Sequence, residues 1–401
     1  MRNINLLITL LFFFLSCSWA FEKIPDFDDD IKHILNSHYL AYKDKEYFTG
    51  ISLSVYIPHQ AIKNYYIGQE AQEKGSKKID ADTLFEIGSI TKSFTAAIVL
   101  QLEKENKLHL QDTLAEWLPT YRKWSHLTIQ TLLNMTSGLP NYSDAALMNV
   151  EEFYHPERQW SEKQLINFVY PPGNLSPPLK PGYSYTNTGY ILTGMMIEKA
   201  TRNSFQKEIE ERLIKPAHLS DTFYPIPSID KKVAARLAHG YGYNPYTNPE
   251  LVGKDMQKSN LSWAGAAGAL ISNSVDVIKW IRALFVDNSI LDQNQKKQLM
   301  QIVSTATGEP IQQTSSANPR AFGLGVSEGF DKDFGRYWFY EGETEGFRAL
   351  YMYVPSNGII IACIFNSAVN AENDHAGELM KKIYLYTKKN MTPNRGESLY
   401  V

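Results

Sequence analysis

The chain has 401 residues, of which 43% are hydrophobic and 21% charged, and its formal net charge is -3. That is the composition of a globular protein able to bury a large core. A balance so near neutrality excludes the broad basic field of a nucleic-acid-binding surface.

The first twenty residues read as a secretory signal. Arg2 supplies the positive start, Leu6 to Leu15 the apolar run, and Ser18-Trp19-Ala20 a small-x-small cleavage site. The run is too short to span a bilayer, so the expectation is a secreted or periplasmic protein, cleaved near Ala20, with no transmembrane segment left. A lipid on Cys17 in F-L-S-C is the alternative, and Phe14 at the position where leucine is usual weighs against it. Cleavage leaves Cys363 as the one cysteine, so no internal disulfide is expected. Its apolar run I-I-I-A-C-I-F points to a buried structural thiol rather than a reactive one.

Asp28 to Tyr42 carries a helical pattern, followed by strand-like I-S-L-S-V-Y-I and I-K-N-Y-Y-I-G. Next comes F-E-I-G-S-I-T-K-S-F-T, Phe85 to Thr95, opening a helix whose apolar positions Ile90, Phe94, Ile98 and Leu102 form a core-facing stripe. From Leu108 to about Trp280 the pattern is mainly helical, broken by loops rich in Pro, Gly and Asn. R-Y-W-F-Y, F-R-A-L-Y-M-Y-V-P and G-I-I-I-A-C-I-F-N then read as a meander of antiparallel strands. A last helix is expected over Ala371 to Thr387, with a polar, disordered tail at 389–401.

This order predicts an α/β (α+β) fold. An antiparallel sheet is built from both chain ends and flanked by helices, and a mainly helical lobe is inserted between its halves. One catalytic domain is expected over residues 21–388, with a sheet lobe at about 21–107 and 265–388 and a helical lobe at about 108–264. A cleft belongs between the lobes.

Ser89 and Lys92 are three residues apart at a helix start, so their side chains share one face and can touch. Gly88 stands where a tight turn approaches the serine. A serine hydroxyl needs a base to attack at neutral pH, and a desolvated lysine with a lowered pKa is one solution. Unpaired N–H groups at the helix start favour the developing negative charge. The spacing alone is weak, because S-x-x-K recurs at Ser204 to Lys207, which reads as a surface helix start, and at Ser228 to Lys231, which lies in a Pro-rich loop.

Four segments together carry a resemblance: D-T-L-F-E-I-G-S-I-T-K-S-F-T-A-A, L-H-L-Q-D-T-L-A-E-W-L-P, T-I-Q-T-L-L-N-M-T-S-G-L-P and P-G-Y-S-Y-T-N-T-G-Y-I-L-T-G-M-M-I-E-K-A. In that order they resemble the serine β-lactamase and DD-peptidase superfamily, nearest its class C β-lactamases, related DD-peptidases and fold-sharing esterases. The likeness runs from about residue 46 to 368. It implies a β-lactamase/transpeptidase-like fold and selects Ser89 as nucleophile and Lys92 as base over the other copies. It also selects Tyr185 and Asn187 in Y-T-N, over the second Y-T-N at Tyr246 to Asn248. Without it, Tyr185 would read as an aromatic packing residue. By analogy Tyr185 exchanges protons with nucleophile and leaving group, and Asn187 binds Lys92 and the acyl amide. The oxyanion hole is expected from the backbone N–H groups of Ser89 and Glu343.

The third motif departs from the family. Where Lys-Thr-Gly or His-Thr-Gly is usual, counting back from Gly346-Phe347 gives Tyr340-Glu341-Gly342. Gly342 keeps the close backbone approach, but the cation that would hold a substrate carboxylate is replaced by Tyr340, a substrate-binding candidate. Strand alternation places Glu341 and Glu343 on the face opposite Tyr340 and Gly342, where solvation outside the site is the preferred expectation. The change resembles the Trp-x-Gly pattern of esterase-type members and predicts weak β-lactamase activity at best.

The remaining polar residues add little. The nine histidines form no pair at zinc-ligand spacing, so no metal and no cofactor are expected. His33 and His38 read as solvated residues of a surface helix. Met135 stands where many relatives have histidine, and it reads as a packing residue. Tyr241 to Tyr246 reads as a surface loop rather than a substrate groove.

The expectation is therefore an exported serine hydrolase working through a Ser89 acyl-enzyme on an ester or amide, including a D-amino-acid-containing peptide. Its partner would be a small-molecule or peptide substrate. The alternatives are a D-alanyl-D-alanine carboxypeptidase or weak class C-type β-lactamase, and a non-catalytic binding or assembly member of the family.

Overall fold

A computed structural model describes residues 26–173, 175–242, 251–369 and 374–391. The signal-like segment with Cys17, the second Y-T-N, and the tail from residue 392 lie outside the described residues.

Helix α1, Phe27–Tyr42, starts at Asp26, whose carboxylate accepts from the Asp28 N–H, and Asp28, Asp29 and Asp30 complement the positive end of the helix dipole. Its buried residues Ile31, Leu35 and His38 recur at helical spacing. His38 corrects the surface reading: it is buried against Phe48 and Phe365, and burial pulls its imidazole down to about 4.

Among the described residues nine strands form one antiparallel sheet in the order β2-β1-β11-β10-β9-β8-β7-β5-β6. Strands β1 (Gly50–Tyr56) and β2 (Lys63–Gly68) come from the N-terminal part. The others are β5 (Ile302–Ser304), β6 (Pro310–Ile311), β7 (Arg320–Phe322), β8 (Ser327–Asp331), β9 (Gly335–Glu343), β10 (Arg348–Val354) and β11 (Ile359–Phe365). The two ends of the chain meet where β1 pairs with β11, Leu53 opposite Cys363. Every residue of β11 is buried, as a strand covered on both faces requires. Cys363 is a free, fully buried thiol whose pKa burial raises.

One face of the sheet is covered by α1 and the C-terminal helix Ala376–Asn390, closing a core of Leu53, Val55, Ile361, Cys363 and Leu379. The opposite face packs on the larger core around helix α2, Thr91–Lys104. Helix Ser274–Ile281 is fixed to this face by the Ser274 hydroxyl, which bonds those of Ser52 and Ser54 at 2.8 and 2.7 Å. A two-stranded sheet of β3 (Phe85–Glu86) and β4 (Ile271–Ser272) leads into the turn that carries Ser89.

Helix α2 is more deeply set than a single apolar stripe implies. From Thr91 to Leu100 every residue is buried, including Lys92, Ser93 and Thr95. The polar ones are satisfied from neighbouring elements: Thr95 donates to the Ala266 carbonyl and Ser93 accepts from the Trp280 indole. Phe94 stacks on Trp280 with ring centres 3.7 Å apart. A helix held on all sides gives the serine at its start a fixed position.

Candidate active site

Ser89 lies in a one-turn 3-10 segment, Gly88–Ile90, that runs directly into α2. Gly88 takes φ +48°, a left-handed conformation that side chains resist, and a Cβ there would lie 2.5 Å from the Glu343 backbone nitrogen. A Cβ on Gly342 would lie 2.0 Å from the Ile87 carbonyl oxygen and 2.8 Å from the Ser89 nitrogen. The two glycines therefore let the nucleophile turn press backbone to backbone against the end of β9. This brings the backbone nitrogens of Ser89 and Glu343 close together where the nucleophile turn meets β9.

Lys92 is wholly buried beneath Ser89. Its Nζ lies 2.8 Å from Ser89 Oγ, 2.7 Å from Asn187 Oδ1 and 2.8 Å from the Ala267 carbonyl. Among the described residues no carboxylate bonds it, and burial pulls its pKa well below the ordinary 10.5. A neutral amine fits these partners: two N–H groups donate to the two carbonyl oxygens, and the lone pair accepts from the Ser89 hydroxyl.

Tyr185 completes the group, its hydroxyl 2.6 Å from Ser89 Oγ. Its ring remains 39% exposed on the cleft side, while the crowded hydroxyl end is pushed up to about 12 by loss of water. The phenol thus keeps its proton at neutral pH, and Lys92 is the group free to take one. Met135 sits below this segment with φ +64° and fully buried; its carbonyl accepts from Ser184 N–H and its sulfur from Thr186 N–H. It packs as expected, and it also supports the loop that aims Tyr185.

Asn187 precedes the helix Thr188–Thr201 and is held at three points. Its N–H donates to Asn141 Oδ1, its amide donates to Ser143 Oγ at 3.0 Å, and its Oδ1 accepts from Lys92. Those contacts fix the amide orientation that puts oxygen toward the lysine.

Ser89, Lys92, Tyr185 and Asn187 thus form one hydrogen-bonded cluster, with Gly342 and Glu343 against it. The other S-x-x-K copies do not join them. Ser204 caps the helix Phe205–Ile209 through the Lys207 N–H, and Ser228 lines a separate cavity with Lys258 and Asn260.

The cluster opens into a cavity of about 730 Å³ lined by Ser89, Tyr185, Asn187 and Tyr340. Tyr340 is 5% exposed, packs edge-on against Phe322 and points its hydroxyl toward Tyr185 without a hydrogen bond of good geometry. Alternation along β9 holds, with Tyr340 and Gly342 buried and Glu341 and Glu343 outward. The expectation that outward means outside the site is corrected, because both glutamates line the cavity. The chain after β11 folds over this end of β9, where Val369 N–H donates to Glu343 Oε1. Crowding by protein raises the Glu343 carboxyl to about 7, opposed by nearby Arg348.

Arg348, on β10 opposite Glu343, is fully buried and donates to Glu46 and Asp374 at 2.7 Å each. Tyr241 is buried, its hydroxyl accepting from Gln72 N–H, so it is no groove wall; residues 243–246 lie outside the described residues. Sequence reasoning missed Ala267, Asn141 and Ser143 as supports, and Asp144, Glu152 and Glu345 as cleft-lining acids. None carries a spacing signal of its own.

The family profile described as Beta-lactamase matches residues 35–384. The chain belongs to the beta-lactamase family of serine hydrolases. It is 28% identical over 247 residues to Penicillin-binding protein 4* of Bacillus subtilis (strain 168), covering 60% of this chain and 53% of that protein. It is 25% identical over 338 residues to Protein flp of Staphylococcus aureus (strain NCTC 8325 / PS 47), covering 80% and 61%. The chain thus spans less than two thirds of the length of these curated relatives. Among solved structures, D-amino acid amidase from Ochrobactrum anthropi SV3 superposes with a TM-score of 0.75 at 24% identity, covering 92% of this chain and 100% of that one. The octameric penicillin-binding protein homologue from Pyrococcus abyssi gives 0.70 at 21%, covering 88% and 77%. These likenesses show the antiparallel sheet flanked by helices to be the fold of the family.

Proposed function

We propose that this protein hydrolyses an amide or ester through a covalent acyl-enzyme on Ser89. The observation that carries the reading is the unbroken chain from Tyr185 through Ser89 to a buried Lys92 that has no carboxylate partner among the described residues. Ser89 Oγ attacks the carbonyl carbon as Lys92 takes its proton, and the oxyanion accepts from the N–H groups of Ser89 and Glu343. Tyr185 gives its proton to the leaving nitrogen or oxygen as that bond breaks, and the proton held by Lys92 restores the phenol. Water then adds to the ester carbonyl and yields its proton to the Lys92–Tyr185 pair. The acyl-oxygen bond breaks with return of a proton to Ser89.

The shared fold with a D-amino acid amidase supports an amide, including a D-amino-acid-containing peptide, as substrate. Tyr340 in place of a cation argues against substrates anchored by a carboxylate, so β-lactams should acylate slowly or turn over weakly. The Arg2, Leu6–Leu15 and Ala20 pattern supports export to a secreted or periplasmic location, which fractionation of cells expressing the full chain would test. For the chemistry, residues 21–401 are assayed on p-nitrophenyl esters, D-amino-acid amides and a fluorescent penicillin beside Ser89→Ala. Ester or amide cleavage lost in the variant is expected. Turnover of none of them by wild type would sink the reading.

A further inference from the structure

The cleft wall carries five carboxylates, Asp144, Glu152, Glu341, Glu343 and Glu345, and among the described residues lining it there is no Lys, Arg or His. Three of the five have partners, Glu341 through a hydrogen bond with Asp374. Asp144 accepts from the Asn141 amide, and Glu343 accepts from Val369 N–H.

Glu152 is different. It sits on the helix Ala146–Tyr154, is 7% exposed, lines the cavity, and its Oε1 has no hydrogen-bond partner. Across from it Glu345 lies in the turn between β9 and β10, beside Thr344, whose buried hydroxyl faces the Glu86 carboxyl. A buried carboxyl oxygen left unpaired is costly, and two carboxylates facing one space cannot both ionise cheaply. Burial raises both acids, and the charge of Glu345 adds to the rise at Glu152. An ammonium group would supply what this wall lacks: a positive charge and three donors.

We propose that Glu152 and Glu345, flanked by Glu343 and Thr344, form a subsite for a primary ammonium group of the substrate. The substrate class is then an amide or ester that bears a free amine near the scissile carbonyl, such as an aminoacyl amide. This inference rests on the Ser89 reading for its link to turnover, but not for binding. Burial favours the protonated form of both acids, so an ammonium that favours both carboxylates displaces protons from them to solvent.

Two measurements separate the claims. In the first, benzylammonium and the neutral benzyl alcohol are titrated calorimetrically into Ser89→Ala protein, alone and with Glu152→Gln or Glu345→Gln. The ammonium should bind at least about tenfold tighter than the alcohol, the scale of one charge-assisted hydrogen bond. Either glutamine substitution should remove most of that preference, and proton release should accompany binding. In the second, phenylalanyl p-nitroanilide (D and L) is compared with the des-amino 3-phenylpropionyl p-nitroanilide. Glu152→Gln and Glu345→Gln should raise KM about tenfold for the amine-bearing substrate and far less for the des-amino one. Equal binding of ammonium and alcohol, or a preference untouched by both substitutions, overturns the subsite. Failure of the wild type to cleave either anilide counts against the catalytic reading and leaves the calorimetry to decide the subsite. Glu345 lies in a turn, so its variant serves if Glu152→Gln melts early.

Discussion

Replacing Lys92 with methionine isolates the base from its structural surroundings. The side chain keeps about the same length in a pocket closed on every side, but the amine 2.8 Å from Ser89 Oγ is lost. Losing a positioned general base costs about 10²–10⁴-fold in rate, or roughly 2.7–5.4 kcal/mol of barrier. Stability should move far less. The variant leaves Asn187 Oδ1 and the Ala267 carbonyl without their donor, about 1–3 kcal/mol each, but it also relieves the cost of a buried amine. The net change should stay within about 2 kcal/mol. The two proteins should also differ in pH dependence. The folded Lys92 titrates below 10.5, so between its folded pKa and 10.5 the unfolded chain holds a proton that the folded one lacks. Wild-type stability therefore gains a rising component toward pH 10.5 that Lys92→Met lacks. The rising limb of kcat/KM that reports deprotonation of Lys92 should vanish as well. The assay is p-nitrophenyl ester hydrolysis across pH 5–10 with urea unfolding in parallel. A variant that keeps more than about a tenth of wild-type activity, or loses activity only in step with unfolding, refutes Lys92 as the base.

Two further substitutions probe the frame around the nucleophile. Gly342→Ala places a methyl 2.0 Å from the Ile87 carbonyl and must wedge the Ser89 turn off β9, separating the two oxyanion donors. Ester kcat/KM should fall about a hundredfold or more while circular dichroism stays native; activity within about threefold of wild type would show that the donors need no such contact. Arg348→Met removes the buried guanidinium from Glu46 and Asp374 and should lower stability by about 3–5 kcal/mol in urea unfolding, where a loss under about 1 kcal/mol would count against the buried network.

The parts of the site legible in the sequence were those with fixed spacing. Ser89 and Lys92 met because side chains three apart share a helix face, and Gly88 and Gly342 marked a close approach that only a missing Cβ permits. The meander of β9, β10 and β11 was equally plain, since long β-rich runs alternate with turn residues. Strands β5 to β8 were not, because runs of two to five residues give too few periods to show alternation. The polarity of His38 suggests water, whereas its position three residues from Leu35 and seven from Ile31 sets it in the core. The acidic wall escaped for a different reason. Glu152 and Glu345 come from separate elements almost two hundred residues apart, and only the packing of the helical region against β9 brings them to one cavity.

The central claim is that Ser89 is a nucleophile made reactive by Lys92. Its most direct measurement is labelling by a fluorophosphonate, read by mass spectrometry of the tryptic peptide that carries Ser89. The account predicts one adduct, on Ser89, that is absent in Ser89→Ala and at least about a hundredfold slower to form in Lys92→Met. An unlabelled wild type, or labelling that persists in Ser89→Ala, would contradict it.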